Sequence, residues 1–323
     1  MQAAELYISQ EVPDVDCAPV SEVGSDESMA EPPVANDLAR APLPAASRGA
    51  AARRRGQWAV IARNVRSVVL GAGSTLLLVA FWYLATKHQW DFYVRFDNIP
   101  SPGAVLHDFI ALGRSEAFYK NMWVSLERIF AGFAIAALLG VTLGMLIGRY
   151  RLAKDMLFPP IELMRPIPAI AWVPISIMLW PTNESSIVFI TFLGAFFPIT
   201  INTIHGVMQV DKVLLRAGKC LGAKELALFR EIIFPSALPQ IFTGLSVGMG
   251  VAWVSLIAAE MISGQFGIGY FTWEAYSLIQ YQDIVVGMIV IGILGLLCSG
   301  LIRLAGVALM PWAANSGKGA SHD

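Results

Sequence analysis

Long apolar stretches separated by charged connections dominate the sequence. Six can be drawn between charges, at residues 67–86, 129–148, 166–180, 185–204, 236–259 and 284–302. Between Arg128 and Arg149 there are twenty consecutive uncharged residues, enough to cross the roughly 30 Å of bilayer hydrocarbon as a helix. Because every backbone polar group in lipid needs an internal partner, each stretch is predicted to be helical. The pattern therefore predicts an all-α membrane protein with about six transmembrane helices.

The third stretch, residues 166–180, is irregular. It is short and contains Pro166, Pro168 and Pro174. Proline lacks the N–H that an interior helical turn needs. A bent or late-starting helix is therefore predicted, with the freed carbonyls facing protein rather than lipid.

The long connection at 87–128 carries a helix signal of its own. Ser101 and Pro102 are typical of an N-cap and a first helical residue, and Val105, Phe109 and Leu112 recur at helical spacing. A short amphipathic helix on the outer face is predicted. The pattern leaves open whether this helix only packs on the surface or also recognises a partner.

The charges indicate an orientation. Only 15% of the residues are charged, against about 25% in a typical soluble domain. Lys and Arg are enriched in cytoplasmic connections, and with the N-terminus inside, 18 of the 23 basic residues fall on the inner side. Both termini are therefore predicted to be cytoplasmic.

The N-terminal region differs in composition from the rest. Residues 1–39 contain nine acidic side chains and no Lys or Arg, and such a stretch buries too little apolar surface to offset the entropy of ordering. We predict a disordered tail over 1–57, a transmembrane domain over 58–312 and a C-terminal tail over 313–323. The N-terminal tail is interpreted as a solvated spacer, with an interaction tail as the alternative.

The connection after the fourth stretch combines charge with helical periodicity. Over residues 212–230, apolar or small residues recur at three- and four-residue steps, while basic residues fall mainly on the other side. Glycines within the apolar stripe allow another backbone to approach closely. A helix that docks into a partner's groove is predicted. A helix lying on lipid headgroups fits this pattern equally well.

Polar groups within the stretches are candidates for a translocation pathway, because they are costly in lipid and usually face the interior. The candidates are Thr191, Thr200, Asn202, Ser246, Ser255 and Glu260, with Met178 and Trp253 as groups that narrow the passage. Hydrogen bonding between helices is the competing explanation for the hydroxyl and amide groups. Glu260, near the outer end of its stretch, is also explained as a marker of the water boundary. Arg165 either attracts anions or anchors the inner end of the third stretch.

The sequence lacks the residue patterns that several classes of function require. The sequence has no GxxxxGK[ST] phosphate loop, and its four histidines are isolated, without a metal-binding spacing. The predictions are that the chain is not an enzyme, and that it has no cofactor, no metal and no nucleic-acid partner. Two alternatives are a transporter driven by an ion gradient, which predicts an intramembrane charge pair or an internal repeat, and an intramembrane enzyme.

The charged connection also resembles a known motif. Arg216-Ala217-Gly218-Lys219-Cys220-Leu221-Gly222, nine further residues and then Ile232-Ile233-Phe234-Pro235 resemble the coupling motif of bacterial binding-protein-dependent ABC permeases. That motif is EAA, three residues, G, nine residues and I-x-L-P. Four positions are in register, Ala217, Gly222, Ile232 and Pro235. Three depart from the pattern, Arg216 for Glu, Gly218 for Ala and Phe234 for Leu.

Further segments resemble the nitrate, sulfonate and taurine branch of these permeases. They are residues 99–105 (IPSPGAV), 163–174 (LMRPIPAIAWVP), 193–198 (LGAFFP), 251–253 (VAW) and 258–261 (AAEM). The resemblance covers most of residues 60–310. It implies a type I ABC importer permease (MetI-like) fold with a cytoplasmic coupling helix at 212–230.

The resemblance also implies function and partners. It implies a permease subunit in the bacterial inner membrane that imports a small anionic nutrient of the nitrate, sulfonate or taurine class. The implied partners are ABC ATPase subunits, a periplasmic or lipid-anchored substrate-binding protein, membrane lipid and a second copy of the chain. The residues implied to contact the ATPase are Arg216, Ala217, Gly218, Leu221, Gly222, Ala223, Glu225, Phe229 and Pro235.

Overall fold

The structure is a computed structural model that describes residues 47–88 and 99–311, and these are almost entirely helical. The described part of the chain divides into two units, the first ending at Leu76 and the second beginning at Leu77. The longer helices are α1 Ser47–Lys87, α3 Glu116–Arg149, α6 Asn183–Met208, α9 Phe234–Ser263 and α11 Tyr281–Leu309. The shorter ones are α2 Pro102–Leu112, α4 Arg151–Met164, α5 Val173–Leu179, α7 Lys212–Cys220, α8 Glu225–Leu228 and α10 Ile268–Ser277.

The described residues contain five helical segments long and apolar enough to cross a membrane: Val68–Lys87, Glu116–Arg149, Asn183–Met208, Glu225–Ser263 and Tyr281–Leu309. A sixth is obtained if the bent pair formed by α4 and residues Ala169–Leu179 is one span. The prediction of an all-α membrane protein with about six transmembrane helices is therefore confirmed.

The irregular third stretch is a sharp bend between two helical pieces. The piece Ala169–Leu179 lies at 88° to α4 and begins with a 3-10 turn over Ala169–Trp172. Pro166 and Pro168 lack the N–H groups that would continue α4, which explains why that helix ends before them. The helical structure also reaches back to Arg151, into a segment whose charges had indicated only a connection.

Helices α3, α6 and α9 form the centre of the second unit, with α6 packed against both of the others. Glycines allow the backbones of α3 and α6 to approach closely. A Cβ added at Gly132 would lie 2.8 Å from the Cβ of Thr191, and one at Gly144 would lie 2.6 Å from the Cβ of Thr203. Gly140 and Gly148 meet α6 in the same way. This is the close packing that small residues provide between membrane helices.

The short helix expected in the connection before α3 is present as α2. The Ser101 hydroxyl accepts a hydrogen bond from the Ala104 N–H at 3.3 Å, and Pro102 is the first helical residue. Val105 is buried, whereas Leu106 and Ile110 are exposed. Residue 101 therefore caps the helix as predicted.

The predicted disordered tail is wrong in part. Residues 47–57 belong to α1, because this Ala- and Arg-rich segment has high helix propensity and extending an existing helix costs less than starting one. Residues 1–46 and 312–323 lie outside the described residues, so the remaining predictions for the two tails concern chain that the structure does not describe.

The single helix predicted over 212–230 is also wrong. Helix α7 ends at Cys220, and Gly222 has a φ of 78°, in the left-handed region that ends many helices. A new helical segment starts at Glu225 and runs through a π turn at Phe229–Ile233 into α9. Pro235 therefore does not end the segment. In the π turn the Phe234 N–H donates to the Phe229 carbonyl, and Pro235 follows as the second residue of α9.

Candidate functional site

A buried ionic cluster joins three helices. The Arg128 side chain on α3 is 3% exposed and its Nη1 donates to Glu260 Oε1 on α9 at 2.9 Å. The same guanidinium donates through Nε and Nη2 to the two carboxylate oxygens of Glu184 on α6, at 2.7 Å and 2.5 Å. Because Arg128 holds one buried and one exposed carboxylate in a forked geometry, it fixes α3, α6 and α9 to one another.

Glu260 is completely buried and surrounded by donors. Its carboxylate accepts from the Ser125 hydroxyl at 2.8 Å and 2.9 Å and from the Gly269 N–H at 2.9 Å. A Cβ added at Gly267, whose φ is 120°, would lie 2.4 Å from the carboxyl carbon, so the turn between α9 and α10 needs glycine there. The carboxylate of Glu260 is therefore held by donors within the protein and does not face solvent.

The cluster also closes the turn that follows α9. Arg128 Nη1 donates to the Phe266 carbonyl at 2.6 Å, the Gly267 N–H donates to Asn121 Oδ1 at 3.0 Å, and the Ile268 N–H donates to Ser125 Oγ at 2.9 Å. A buried charge is costly unless it is paired and hydrogen-bonded, and here each polar group has a partner. The cluster therefore has a structural role: it connects α3, α6, α9 and the turn after α9.

Sequence reasoning missed Arg128 because it was counted as a cation of the long connection. The available signal is its spacing: Asn121, Ser125 and Arg128 stand at i, i+4 and i+7 of one helix and share a face. A face that carries an amide, a hydroxyl and a guanidinium beside a long apolar run indicates polar partners within the bundle.

Most of the predicted pathway residues lie in helix contacts. The hydroxyls of Thr191, Thr200, Ser246 and Ser255 each donate to the carbonyl four residues earlier in the same helix. Thr191, Thr200, Ser255 and Trp253 are buried, and Ser255 faces Gly194 across the contact of α6 with α9. Met178 is 88% exposed. The structure therefore does not bring these residues together around one passage.

Asn202 is a predicted pathway residue that lines the same cavity as Arg165. A cavity of about 320 Å³ lies between the bend after α4, helix α6 and helix α9. Arg165, Pro168, Phe197, Pro198 and Asn202 are among its lining residues. The Asn202 amide donates to the Pro198 carbonyl at 2.8 Å, which leaves its oxygen free for another donor. Ser246 instead lines a separate cavity with Arg303.

The predicted ATPase-coupling residues form a compact helix–turn–helix. Asp211 Oδ1 caps α7 by accepting from the Val213 N–H at 2.7 Å. Gly218 is buried, and a Cβ there would lie 2.6 Å from Leu228 Cδ2, so α7 packs tightly on the segment that follows. Of the remaining coupling residues, Arg216, Ala217, Leu221, Gly222 and Glu225 are exposed, and Ala223, Phe229 and Pro235 are half-buried.

An ion pair ties this segment to the membrane helices. Arg149, the last residue of α3, pairs with Glu225, the first residue of α8. The pair lies at the surface and connects the two elements directly. Over residues 47–88 and 99–311, no group of three His, Cys, Asp or Glu side chains is arranged to hold a metal ion.

Residues 140–314 match the model of a protein family described as binding-protein-dependent transport system inner membrane component. A putative ABC transporter permease of Methanocaldococcus jannaschii is 38% identical over 246 residues, which are 74% of this chain and 90% of that protein. A nitrate import permease of Synechocystis is 36% identical over 253 residues, 76% of this chain and 90% of that protein.

Two further comparisons extend this relationship. A bicarbonate transport system permease of Synechococcus elongatus is 37% identical over 186 residues, 57% of this chain and 67% of that protein. The fold is similar to that of a crystal structure described as an amino acid ABC transporter with histidines, with a TM-score of 0.50 and 16% identity, covering 62% of this chain and 95% of that one.

Proposed function

This chain belongs to the binding-protein-dependent transport family and is a membrane-spanning permease subunit of an ABC transporter, and from that premise we propose that it imports a small oxyanion. Relatives that cover more than half of this chain are named for nitrate and for bicarbonate. Both are planar anions with a single charge, so a common site for them needs a cation and a narrow passage.

The cavity beside Arg165 is the observation that carries this proposal. A guanidinium is planar and presents several donors, which suits a planar oxyanion better than the point charge of lysine does. Arg165 is about half exposed, and its nearest carboxylate, Glu162, is 3.8 Å away. An ion pair of that length at the surface is weak, so the guanidinium remains available to an entering anion.

We assign Asn202 to the pathway together with Arg165, because both line this cavity. Thr191, Thr200, Ser246, Ser255, Trp253, Met178 and Glu260 stay predictions as pathway residues. For Thr191, Thr200 and Ser255, burial and the bonds to their own helix support the competing role in helix packing.

The assembly follows from the family as a proposal. We infer that two copies of this chain enclose the passage, that ABC ATPase subunits bind the coupling segment, and that a periplasmic or lipid-anchored binding protein delivers the substrate. The distribution of basic residues supports cytoplasmic termini in a bacterial inner membrane. The coupling segment at 212–235 then lies on the cytoplasmic side, where ATP is available.

A transporter driven by an ion gradient is the second candidate, and one observation bears on it. Such a transporter predicts an intramembrane charge pair, and Arg128 with Glu260 is a buried charge pair between two of the helices long enough to span a membrane. The cluster is nevertheless fully hydrogen-bonded and lies at the C-terminal end of α9 and the N-terminal end of α6, away from the cavity beside Arg165. Together with the family relationship, this favours a structural role for the pair.

Replacing Arg165 by glutamine is expected to lower uptake at least about tenfold, because a charge-assisted hydrogen bond to the anion is lost. The measurement is uptake of labelled nitrate and of labelled bicarbonate into proteoliposomes that contain the permease, its ATPase and its binding protein. Arg165→Lys is expected to retain part of the activity for both anions.

The matched control for this substitution is Arg151→Gln, which removes another exposed arginine from the same bent pair. It is expected to leave uptake close to that of the unmodified protein. Equal uptake by the Arg165→Gln variant and the unmodified protein would exclude this cavity as the anion site.

A further inference from the structure

Arg303 is an isolated cation in a long apolar helix. It belongs to α11 and is the only charged residue between Asp283 and Lys318. Its side chain is exposed, and among the residues that the structure describes no carboxylate lies within salt-bridge distance of it. A charged side chain in a membrane helix is costly and is usually paired. The guanidinium of Arg303 therefore calls for an anionic partner that the described residues do not supply.

The position of Arg303 along α11 matches the edge of a bilayer. The nineteen residues 284–302 that precede it are uncharged and measure about 28 Å as a helix. The hydrocarbon of a bilayer is roughly 30 Å thick. With Asp283 at one edge of the hydrocarbon, the guanidinium of Arg303 reaches the depth of the phospholipid phosphates at the other edge.

A cavity of about 450 Å³ lies beside Arg303, between α9 and α11. Its other lining residues include Phe242, Thr243, Ser246, Val307 and Met310. Among the described residues that line it, Arg303 is the only charged one. A Cβ added at Gly306 would lie 3.0 Å from the Phe242 ring, so the two helices are in contact beside the cavity. A mainly apolar cavity with one cation suits a ligand that has an anionic head and an apolar tail.

Exposed apolar side chains continue both walls of this cavity along the helices. Val247, which lines the cavity, and Val254 stand at i and i+7 of α9, so they share a helix face. Leu296 and Arg303 stand at i and i+7 of α11 and also share a face. Val254 and Leu296 are exposed by 72% and 76%. An extended apolar chain that leaves the cavity along these faces therefore meets apolar side chains on both helices.

We propose that this cavity binds an anionic phospholipid, with its phosphate on Arg303 and one acyl chain along α9 and α11. Basic pockets between membrane helices bind such headgroups, and a guanidinium donates readily to phosphate oxygens. The hydroxyls of Thr243 and Ser246 already donate to carbonyls of their own helix, each at 2.9 Å. Their oxygens are left to accept hydrogen bonds, which suits the hydroxyl-bearing headgroup of phosphatidylglycerol.

A zwitterionic phospholipid fits this cavity less well. Its ammonium group needs an anionic partner, and none of the described lining residues is a carboxylate. A small free oxyanion would contact Arg303 but would leave the apolar walls exposed to water. The inference is independent of the nutrient that the transporter imports, because it depends only on α9 and α11 lying in a membrane.

The test measures lipid binding to the full-length chain, purified in detergent and stripped of lipid, by native mass spectrometry. The unmodified chain is expected to bind phosphatidylglycerol at least about tenfold more tightly than phosphatidylethanolamine. For Arg303→Gln, the affinity for phosphatidylglycerol is expected to fall at least about tenfold, because a charge-assisted hydrogen bond is lost. Arg303→Lys is expected to retain part of the preference for phosphatidylglycerol, because the charge remains.

A second variant tests the apolar part of the cavity. Val307 is 66% exposed, and Val307→Trp is expected to fill the cavity and to lower the affinity for both phospholipids. The matched control is Arg151→Gln, which removes an exposed arginine from α4, outside the cavity. It is expected to bind phosphatidylglycerol as the unmodified chain does. Monodisperse elution of each variant shows that it is folded.

Three results would overturn the proposal. The first is equal binding of phosphatidylglycerol by the unmodified chain and by Arg303→Gln, or no preference between the two phospholipids in the unmodified chain. The second is a dimer that dissociates on this substitution while bound lipid is unchanged, which would show that a second copy of the chain covers the cavity. The third is displacement of bound phosphatidylglycerol by nitrate or bicarbonate, which would assign Arg303 to the passage of the imported anion.

Discussion

Replacing Arg128 by alanine is expected to destabilise the folded chain by about 3–5 kcal/mol, because it leaves the fully buried carboxylate of Glu260 without its cation. The same substitution removes the donors to Glu184 and to the Phe266 carbonyl. Arg128 links α3, α6 and the turn after α9, so this loss is expected to loosen several elements together. Thermal unfolding of the detergent-purified chain, followed by loss of its monodisperse elution, measures the effect.

Two further variants separate charge from packing at this site. Glu184→Gln removes the partner that is 61% exposed and is expected to cost under about 1 kcal/mol, as surface ion pairs do. The double variant R128M/E260M removes both buried charges and is expected to recover part of the stability that Arg128→Ala loses. If Arg128→Ala unfolds at the same temperature as the unmodified chain, the cluster does not hold these helices together.

Replacing Gly222 by valine is expected to uncouple ATP hydrolysis from transport. Gly222 has a φ of 78°, where a side chain costs roughly 1–2 kcal/mol and a β-branched residue is a genuine outlier. A Cβ there would meet nothing within 4 Å, so the damage comes from the backbone alone. The turn is expected to re-form with a different geometry and to displace α7 from α8.

The measurement is ATPase activity of the reconstituted transporter with and without the loaded binding protein. For Gly222→Val, stimulation of ATP hydrolysis by the loaded binding protein is expected to fall about tenfold or more. A loss of about 1.4 kcal/mol in the free energy of binding between the displaced α7 and the ATPase accounts for a tenfold change. Asn adopts the left-handed conformation more readily than other side chains, so Gly222→Asn is the matched control and is expected to retain coupling. Equal stimulation in the valine and asparagine variants would show that this turn does not set the position of α7.

The sequence alone predicted the spans well because lipid imposes one requirement on all of them. An apolar run such as 129–148 must satisfy its backbone internally, and a helix is the available solution. The cap at Ser101 was predictable for a similar reason, since a hydroxyl before Pro102 satisfies a free N–H at little cost. In both cases the requirement is local, so neighbouring residues suffice to reveal it.

The features that sequence missed depend on contacts between distant residues. Arg128 and Glu260 are 132 residues apart, and neither shows its partner in the local pattern. The break at Gly222 was missed because the helical spacing of apolar and small residues continues across it, while the turn is fixed by Gly218 packing on Leu228. The bend after α4 was placed at the prolines correctly, but α4 itself was missed, because the charges over 149–165 indicated a connection.

The glycines of α3 restrict how the subunit can move. Gly132, Gly140, Gly144 and Gly148 bring its backbone against side chains of α6 over about four and a half turns. A shift of these two helices by one residue would drive threonine and isoleucine branches into main-chain atoms. A conformational change that opens the proposed passage to one side of the membrane is therefore expected to move α3 and α6 together as one rigid body. The backbone changes that accompany such a motion are then expected at the 88° bend after α4 and at the π turn Phe229–Ile233.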